Sequence, residues 1–189
     1  MPVFDHFGAL APSYERFIKP KVPVDMYRVA DLPTKGSLLD VGGGTGRTAQ
    51  FLRDKAAQVI VADVSIKMLR QAAKKNGLDT TCSAAEKLPF PNACFERVII
   101  VDALHHVLNQ YQTAKELWRV LKPGGRLVIE EPDVRTWFVK LIAIVEKITL
   151  MQSHFLSPPK IEALYAGLDA RVWTERNGYI SWIVVEKPN

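Results

Sequence analysis

The stretch from Ser37 to Arg47 constrains the fold of this chain more than any other. It begins with an apolar run that indicates a short buried strand, and four glycines follow within residues 42–46. A helix-compatible run then covers residues 47–55. Glycine tolerates positive φ and, lacking Cβ, lets a ligand approach the backbone, while a helix start offers unpaired N–H groups and a positive dipole end. The order strand, tight turn, helix therefore predicts a nucleotide-type ligand site.

The spacing of the glycines separates two kinds of nucleotide site. Dinucleotide-binding domains use G-x-G-x-x-G, but here the third required glycine falls on Arg47, and Gly46 comes one position early. The sequence instead reads Asp40-x-Gly42-x-Gly44-x-Gly46. This pattern resembles the first motif of class I S-adenosylmethionine-dependent methyltransferases, and Arg47 argues against an NAD-dependent oxidoreductase.

Three further stretches strengthen the resemblance. Residues 58–64 form a second apolar run that contains Asp63, where a second βαβ strand would bring a carboxylate to the ribose of a ligand. Residues 121–125, Leu-Lys-Pro-Gly-Gly, resemble the turn before the fifth strand of these methyltransferases. Residues 4–15 are similar to the N-terminal segment of the ubiquinone/menaquinone-biosynthesis type.

The resemblance implies S-adenosylmethionine as cofactor and S-adenosylhomocysteine as product. Asp40 would order the glycine loop, the loop glycines would admit the amino-acid end of the cofactor, and Asp63 would hold its ribose. Val64 and Met68 would line the adenine, although Met68 fits a core position equally well. The predicted cofactor-binding residues are Asp40, Gly42, Gly43, Gly44, Gly46, Asp63, Val64, Met68, Ala84, Ala85 and Glu86.

One motif departs from the family pattern. Residues 84–90, Ala-Ala-Glu-Lys-Leu-Pro-Phe, resemble the family's D-A-E-x-L-P-F signature, but Ala84 stands where the family has Asp. The carboxylate that would accept a hydrogen bond from the adenine amino group is lost, and an unpaired buried amine costs about 1–3 kcal/mol. Either Glu86, Ser83 or a water substitutes, or the cofactor binds more weakly.

The catalytic candidates follow the most strongly β-branched segment. Residues 95–101 read as a central parallel strand buried on both faces, and Asp102, His105 and His106 come directly after it. Ligands of open α/β sheets bind outside the carboxyl ends of strands. A histidine with a near-neutral pKa suits a general base. The alternative is that one histidine caps a helix while the other packs beneath it.

Two segments are predicted to lie outside the sheet. The resemblance implies that residues 1–33 form an N-terminal helical lid with Tyr14 facing the substrate; the alternative is a packing helix. Residues 134–168 are expected to be a helical insertion whose apolar part, 134–151, contains Trp137 as a second substrate-facing candidate. The apolar excess of this helix needs a cover. The sheet, the N-terminal segment, a second subunit, a lipophilic substrate or a membrane surface would each provide one.

Composition excludes several classes of protein. The chain has 189 residues, 48% hydrophobic and 24% charged, which suits one globular domain spanning residues 1–189. No stretch of about 20 apolar residues could span a bilayer, and no signal peptide is recognisable. Two cysteines predict a reducing, cytoplasmic location without a structural metal. The net charge of +5 permits an acidic partner or peripheral membrane contact without requiring one.

The sequence therefore predicts an α/β fold, a Rossmann-like seven-stranded, mostly parallel sheet with a C-terminal antiparallel hairpin and helices on both faces. The predicted function is methyl transfer from S-adenosylmethionine to a small, apolar acceptor such as a quinone precursor or related lipid. An RNA methyltransferase is an alternative, but the sequence shows neither an N-P-P-Y-like tetrad nor a dense Lys/Arg stripe. A non-catalytic cofactor-binding or scaffold protein is another, and a homodimer is left open.

Overall fold

A seven-stranded sheet built from short apolar runs forms the centre of the protein. The computed structural model describes residues 24–136 and 154–189. The strands are β1 (Ser37–Val41), β2 (Gln58–Asp63), β3 (Asp79–Cys82), β4 (Phe95–Val101), β5 (Leu121–Pro132), β6 (Arg171–Asn177) and β7 (Ile180–Glu186).

The strand order is β3-β2-β1-β4-β5-β7-β6. Strands β1 to β5 pair in parallel, whereas β7 pairs antiparallel with both β5 and β6. The chain moves outward in one direction from β1 to β3 and in the other from β4 onward, so a crevice opens at the carboxyl ends of β1 and β4. The predicted fold class is confirmed.

The helices are shorter than the sequence suggests. They are α1 (Val24–Val29), α2 (Ala49–Leu52), α3 (Ile66–Ala72), α4 (Gln110–Val120) and α5 (Pro158–Glu162), with 3₁₀ turns at Leu104–His106 and Ala163–Tyr165. The largest difference concerns α2, for which the sequence predicts residues 47–55. Gly46 has φ +72°, which is incompatible with a helix, and the backbone turns until Thr48 before four helical residues follow. A helix of one turn has little macrodipole, so other groups must attract a ligand here.

Each face of the sheet is covered by its own apolar cluster. Leu38, Ile99 and Val128 point to the face that packs against α1, α2 and α3. Leu39, Ile100 and Ile129 point to the opposite face, which packs against α4 and the segment around Tyr165. Because successive side chains in a strand alternate between faces, neighbouring residues at a strand end reach different sides of the sheet.

Strand β5 begins earlier than predicted. The Leu-Lys-Pro-Gly-Gly motif belongs to the strand as an irregularity: Phe95 pairs with Leu121, but Arg97 pairs with Arg126. Gly124 has φ +69° at this point. Residues 122–125 therefore bulge out of the β4–β5 pairing, and the register is regular from Arg126 onward.

The C-terminal hairpin is confirmed, with Gly178 at φ +61° in its turn. The helix before the hairpin ends at Glu162 and tightens into the 3₁₀ turn. Ser157 is its N-cap residue but makes no side-chain capping bond.

Several predictions concern residues outside the described ranges. Tyr14 and Trp137 belong there, as do most of the predicted lid and of the apolar 134–151 helix. The single-domain organisation over residues 1–189 therefore stays a prediction. Within residues 24–136 and 154–189, no helix is long and apolar enough to cross a membrane.

The end of β5 is fastened to the hairpin by a buried carboxylate. The Asp133 side chain is fully buried and accepts hydrogen bonds from the Arg135 backbone amide at 2.9 Å and its guanidinium at 2.7 Å. Arg176 lies 3.4 Å away, and the Asp133 amide donates to the Tyr179 carbonyl at 2.7 Å. The arginine beside it lowers the pKa of Asp133 to about 2. The network holds the chain at the point where it leaves the sheet.

We expect Asp133→Asn to destabilise the protein by about 2 kcal/mol at pH 7, because a pKa lowered by nearly two units represents that much stabilisation of the charged form. The unfolded-state pKa of an aspartate is near 3.8, so the difference from the native chain should shrink as the pH falls from about 4 to 2. Urea unfolding at several pH values measures this difference in the free energy of unfolding. The exposed Asp169→Asn is the matched control and should stay within about 0.5 kcal/mol of the native chain.

Candidate cofactor and active site

The glycine loop after β1 takes the backbone conformation that its sequence predicts. Gly42, Gly44 and Gly46 have φ of +69°, +55° and +72°. A Cβ added to Gly42 would lie 2.7 Å from the Ala103 Cβ, so that glycine is required by packing. Among the described residues, the nearest atom to a Cβ added at Gly44 is the Asp63 Oδ2, 3.9 Å away. Residues 24–136 and 154–189 therefore leave room above Gly44 for a ligand to approach the backbone.

Asp63 ties this loop to the next strand. Its Oδ2 accepts a hydrogen bond from the Gly44 amide at 2.9 Å, and its Oδ1 accepts one from the Ser65 amide at 2.8 Å. Ser65 in turn caps α3 through the Met68 amide. Each carboxylate oxygen can accept more than one bond, so Asp63 can order the loop and still receive ribose hydroxyls. Its contact with the ribose stays a prediction.

Asp40 is a buried carboxyl group whose charge is offset in part by Arg47 and by the nearby Ala49 backbone amide. Its side chain is 1% exposed, and within the described ranges neither oxygen has a hydrogen-bond partner. A Cβ added to Gly43 would lie 2.6 Å from its Oδ2, so the loop runs directly over the carboxyl group. Burial, together with the nearby charge of Asp63, raises the pKa of Asp40 to about 7, although Arg47 opposes the shift.

Glu130 belongs to the same group of carboxylates. It pairs with Val101 in the β4–β5 ladder and with Trp182 in the β5–β7 ladder, which places it on the sheet face of Asp40 and Asp63. The Trp182 indole donates to its Oε2 at 2.6 Å. Burial and the charge of Asp102 raise its pKa. Sequence reasoning missed Glu130, although two consecutive glutamates at a strand end were a visible signal.

Glu131 points to the other face and organises the loop after β4. Its Oε1 accepts hydrogen bonds from the amides of Ala103 at 3.1 Å and Leu104 at 2.7 Å, and its Oε2 lies 2.5 Å from the His105 Nδ1. Both side chains of this pair are buried. Glu131 was also missed as a functional residue, and it fixes the position of two catalytic candidates.

The histidine pair has a more structural setting than a general base would need. The ring of His105 stacks on Phe155 with centroids 4.1 Å apart, and its carbonyl accepts from the His154 amide at 2.7 Å. His106 is half-buried, and burial together with His105 lowers its pKa to about 3. A histidine with so low a pKa is neutral at physiological pH and accepts a proton only weakly. The third candidate, Asp102, is exposed at φ +53° beside the crevice.

Residues 83–86 are the segment that is predicted to contact the adenine, and Ala84 stands there in place of the aspartate of the family pattern. Ala84 is exposed and Ala85 is buried. Glu86 is already engaged, since its Oε1 accepts from the Asn109 amide at 3.0 Å. Ser83 has a buried hydroxyl without a hydrogen-bond partner among residues that the structure describes. Of the two groups proposed to replace the aspartate, Glu86 thus holds a backbone amide with one oxygen, whereas the Ser83 hydroxyl makes no hydrogen bond to the described residues.

Two other predicted adenine neighbours differ in exposure. Val64 is 68% exposed and Met68 is 3% exposed. Val64 is therefore available to a ligand at the end of β2, whereas Met68 packs in the core beneath the same loop. The Met68 position agrees with the alternative that the sequence left open.

The arrangement fits S-adenosylmethionine. The opening over Gly44 admits a ligand to the backbone, and Asp63 offers acceptors beside it. Burial raises the pKa of Asp40 although Arg47 and the Ala49 amide oppose the shift, so a cationic group would stabilise its ionised form further. When bound, this cofactor supplies an electrophilic methyl group on a sulfonium and carries a second positive charge on its amino group. The carboxylates at the strand ends suit the sulfonium and the ammonium, whereas the cofactor's own α-carboxylate needs other groups to bind it.

The sequence matches the family described as "Methyltransferase domain" over residues 39–129. It is 35% identical over 111 residues to the ubiquinone/menaquinone biosynthesis C-methyltransferase UbiE of Coxiella burnetii, covering 53% of this chain and 44% of that protein. It is 38% identical over 104 residues to the protein of the same name from Pasteurella multocida, covering 50% of this chain and 39% of that one. The matched part is thus less than half of each relative's length.

Solved structures share the fold over nearly the whole chain. A methyltransferase from Haloferax volcanii, in complex with the Trm112 methyltransferase activator, superposes with a TM-score of 0.81 at 16% identity, covering 99% of this chain and 100% of that one. A SAM-dependent methyltransferase from Thermotoga maritima gives a TM-score of 0.79 at 21% identity, covering 96% and 98%. Residues 39–129 thus resemble a methyltransferase domain, and the chain shares its fold with S-adenosylmethionine-dependent methyltransferases.

We expect Asp40→Asn to stabilise the cofactor-free protein at high pH. The raised pKa means that the folded chain retains a proton which the unfolded chain releases, so Asp40 lowers stability progressively as the pH rises from about 4 to 7. The variant carries no such proton. Its free energy of unfolding relative to the native chain should therefore increase by about 2–3 kcal/mol between pH 5 and pH 8.

Denaturant unfolding of both proteins at pH 5, 6, 7 and 8 tests this expectation. Asp54, whose side chain is 84% exposed, provides the control: Asp54→Asn should follow the native pH dependence. Parallel curves for Asp40→Asn and the native chain would show that Asp40 is ionised throughout and that its burial has no such cost.

Proposed function

We propose that this protein is a class I methyltransferase that transfers the methyl group of S-adenosylmethionine to a small, apolar acceptor, such as a quinone precursor or a related lipid. The observation that supports S-adenosylmethionine as the cofactor is the pair of carboxylates at the glycine loop. Asp63 holds the Gly44 amide at 2.9 Å, and Asp40 lies buried beneath Gly43 without a hydrogen bond in the described structure. A dinucleotide would bring phosphates to this loop, and two carboxylates oppose them.

The acceptor part of the proposal has two sources of support. The relatives that match half of this chain carry the name ubiquinone/menaquinone biosynthesis C-methyltransferase. In addition, apolar side chains are exposed beside the loop after β4: Leu108 is 81% exposed and Tyr111 is 57% exposed. An acceptor over β4 and β5 would find an apolar rim there, close to the stacked ring of Phe155.

The protein's own residues would align the acceptor and exclude water, because alignment of two reactants accounts for much of the rate in a simple group transfer. Glu131 fixes the loop that carries His105 and His106. The low pKa of His106 favours a role as a neutral hydrogen-bond partner of the acceptor. A carbon or oxygen nucleophile would then lose its proton to solvent or to the exposed Asp102.

One observation favours a second function. Ala84 removes the carboxylate that reads the adenine in the family pattern, so a non-catalytic cofactor-binding or scaffold protein is the alternative. Ser83 bears on this choice, because its hydroxyl has no hydrogen-bond partner among the described residues and can accept a hydrogen bond from the adenine amino group. No feature of the described surface favours an RNA acceptor. The proposal includes a cytoplasmic location, in keeping with the free cysteines at Cys82 and Cys94.

We expect S-adenosylmethionine to bind the native chain and Asp63→Asn to weaken it by about 10- to 100-fold. Hydrogen bonds to a charged acceptor contribute about 1.5–3 kcal/mol, and about 1.4 kcal/mol corresponds to tenfold in affinity. Asparagine retains one carbonyl for the Gly44 amide, so the loop should keep its shape. Isothermal calorimetry gives the affinities, and Asp54→Asn should bind as the native chain does.

The acceptor is tested with S-adenosylmethionine carrying a labelled methyl group. We expect label to enter the organic phase when the protein is incubated with a detergent-dispersed demethylated quinol, and none to enter RNA under the same conditions. Firm cofactor binding without transfer to any quinol would support the scaffold alternative. Absence of cofactor binding by the folded chain would overturn the proposal as a whole.

A further inference from the structure

Exposed apolar side chains collect at one edge of the sheet. Among the residues that the structure describes, seven large apolar side chains are exposed. Five of them follow β2, follow β4 or lie at the β6–β7 turn: Val64, Ile66, Leu108, Tyr111 and Tyr179. Because β1 pairs in parallel with both β2 and β4, these two strands end at the same edge, where the crevice opens. Tyr179 lies there as well, since its carbonyl accepts the amide of Asp133 directly after the parallel strand β5.

The first projection from this edge is the start of α3. Ile66 is the first residue of the helix and is exposed, and Lys67 and Arg70 are exposed on the turn that follows. Side chains three and four positions apart are neighbours on a helix surface, so Arg70 lies beside both Ile66 and Lys67. The helix carries no acidic residue. Its apolar tip is therefore flanked by two positive charges.

The other two projections repeat this combination. In the first turn of α4, Tyr111 is exposed, and the Lys115 ammonium lies 4.4 Å from the centroid of its ring. At the hairpin turn Tyr179 is exposed, and the Arg176 guanidinium donates a hydrogen bond to the carbonyl of the preceding Gly178 at 2.9 Å. Each projection thus combines an exposed apolar side chain with a nearby cation.

An apolar tip beside a cation is the chemistry of a lipid interface. Apolar side chains enter the boundary of the acyl chains, while Lys and Arg keep their charges at the level of the headgroup phosphates. The projections stand at the ends of β2, β4 and β5, on both sides of the crevice. Separate projections suit a fluid surface better than a protein partner, because a protein interface needs a continuous complementary patch. The exposed Asp102 opposes an anionic surface, but Lys67, Arg70 and Lys115 outnumber it.

We infer that these three projections dock the protein on an anionic lipid surface, with the crevice facing the bilayer. The inference rests on the proposed function, since an apolar acceptor that partitions into lipid would then reach the crevice without crossing water. Leu108 and Tyr111, which such an acceptor would pass, belong to the same edge. The attraction of the cations to the headgroups weakens as the salt concentration rises, whereas the contribution of the apolar tips does not.

Sedimentation of the full chain with vesicles measures the docking. The vesicles contain phosphatidylcholine alone, or phosphatidylcholine mixed with the anionic phosphatidylglycerol. We expect the native chain to bind the mixed vesicles more tightly and to lose that preference at high salt. The double variant Lys67→Gln/Arg70→Gln should bind mixed vesicles about 30-fold more weakly, as two cations near an anionic surface predict. Tyr179→Ser should weaken binding to both kinds of vesicle by about tenfold, because an apolar contact is lost.

Matched controls come from the opposite edge of the sheet. The exposed Lys35 precedes β1, and the exposed Leu168 precedes β6, whose first residue lies level with the start of the regular β5 ladder. Lys35→Gln and Leu168→Ser should bind both kinds of vesicle as the native chain does. Calorimetry with S-adenosylmethionine checks that each variant is folded. All affinities for this ligand should stay at the native value, because the substituted side chains lie outside the glycine loop and the loop after β4.

The outcomes separate the inference from the function on which it rests. A native chain that binds S-adenosylmethionine but neither kind of vesicle overturns the inference and leaves the proposed function intact. Equal losses in the Lys35 and Leu168 variants would show a general effect of charge and hydrophobicity, and they also overturn it. A native dimer that Tyr179→Ser dissociates, without vesicle binding, assigns the edge to a second copy and overturns it as well. Failure of the folded native chain to bind S-adenosylmethionine overturns the proposed function instead.

Discussion

The carboxylate of Asp63 holds together the elements on which the site depends. It stands at the end of β2, yet it accepts one hydrogen bond from the loop after β1 and another from the start of α3. Two backbone segments that approach from different strands are thereby fixed by a single side chain. The glycine loop keeps its left-handed turns, and the space above Gly44 stays open. Without this connection the reversal of strand order would leave a crevice with poorly defined walls.

Electrostatics and stability oppose each other in this crevice. Asp40 is buried where its charge is costly, and its neighbours Asp63 and Glu130 are acidic as well. A fold selected for stability alone would place a neutral side chain here. Unfavourable local energetics of this kind are typical of functional sites, and the cost is offset when a cation binds.

The sequence predicted the sheet well because its signals are local. Continuous apolar runs define β1, β2 and β4, and glycines mark the turns at 42–46 and at 178, where the backbone does require positive φ. The prediction for α2 was wrong because helix propensity says nothing about how long a glycine turn persists. The roles of Glu130 and Glu131 were missed for a different reason. Which face each one reaches depends on pairing with β4 and β7, and such long-range contacts leave no trace in a local pattern.

The catalytic candidates show the same limit. Position after β4 correctly predicted that His105 and His106 would lie near the carboxyl edge, but only the structure shows His105 buried against Glu131 and Phe155. Burial and ion pairing arise from parts of the chain more than 25 residues away in sequence. Residue type alone cannot distinguish a histidine that acts as a general base from one that has a structural role. Likewise, nothing in the sequence indicates that the Ser83 hydroxyl is buried without a hydrogen-bond partner among the described residues.

The irregular β4–β5 pairing at Lys122–Gly125 affects which insertions and deletions the chain can tolerate before β5. Glu130 and Glu131 serve opposite sides of the sheet, so a shift of one residue in β5 would exchange their positions and disable both. The irregular pairing between Phe95 and Arg97 lies upstream of the regular register that begins at Arg126. Insertions or deletions between α4 and β5 can be accommodated there without altering the phase of the strand. The Pro-Gly-Gly segment can therefore take up a change in chain length while Glu130 and Glu131 keep their separate faces of the sheet.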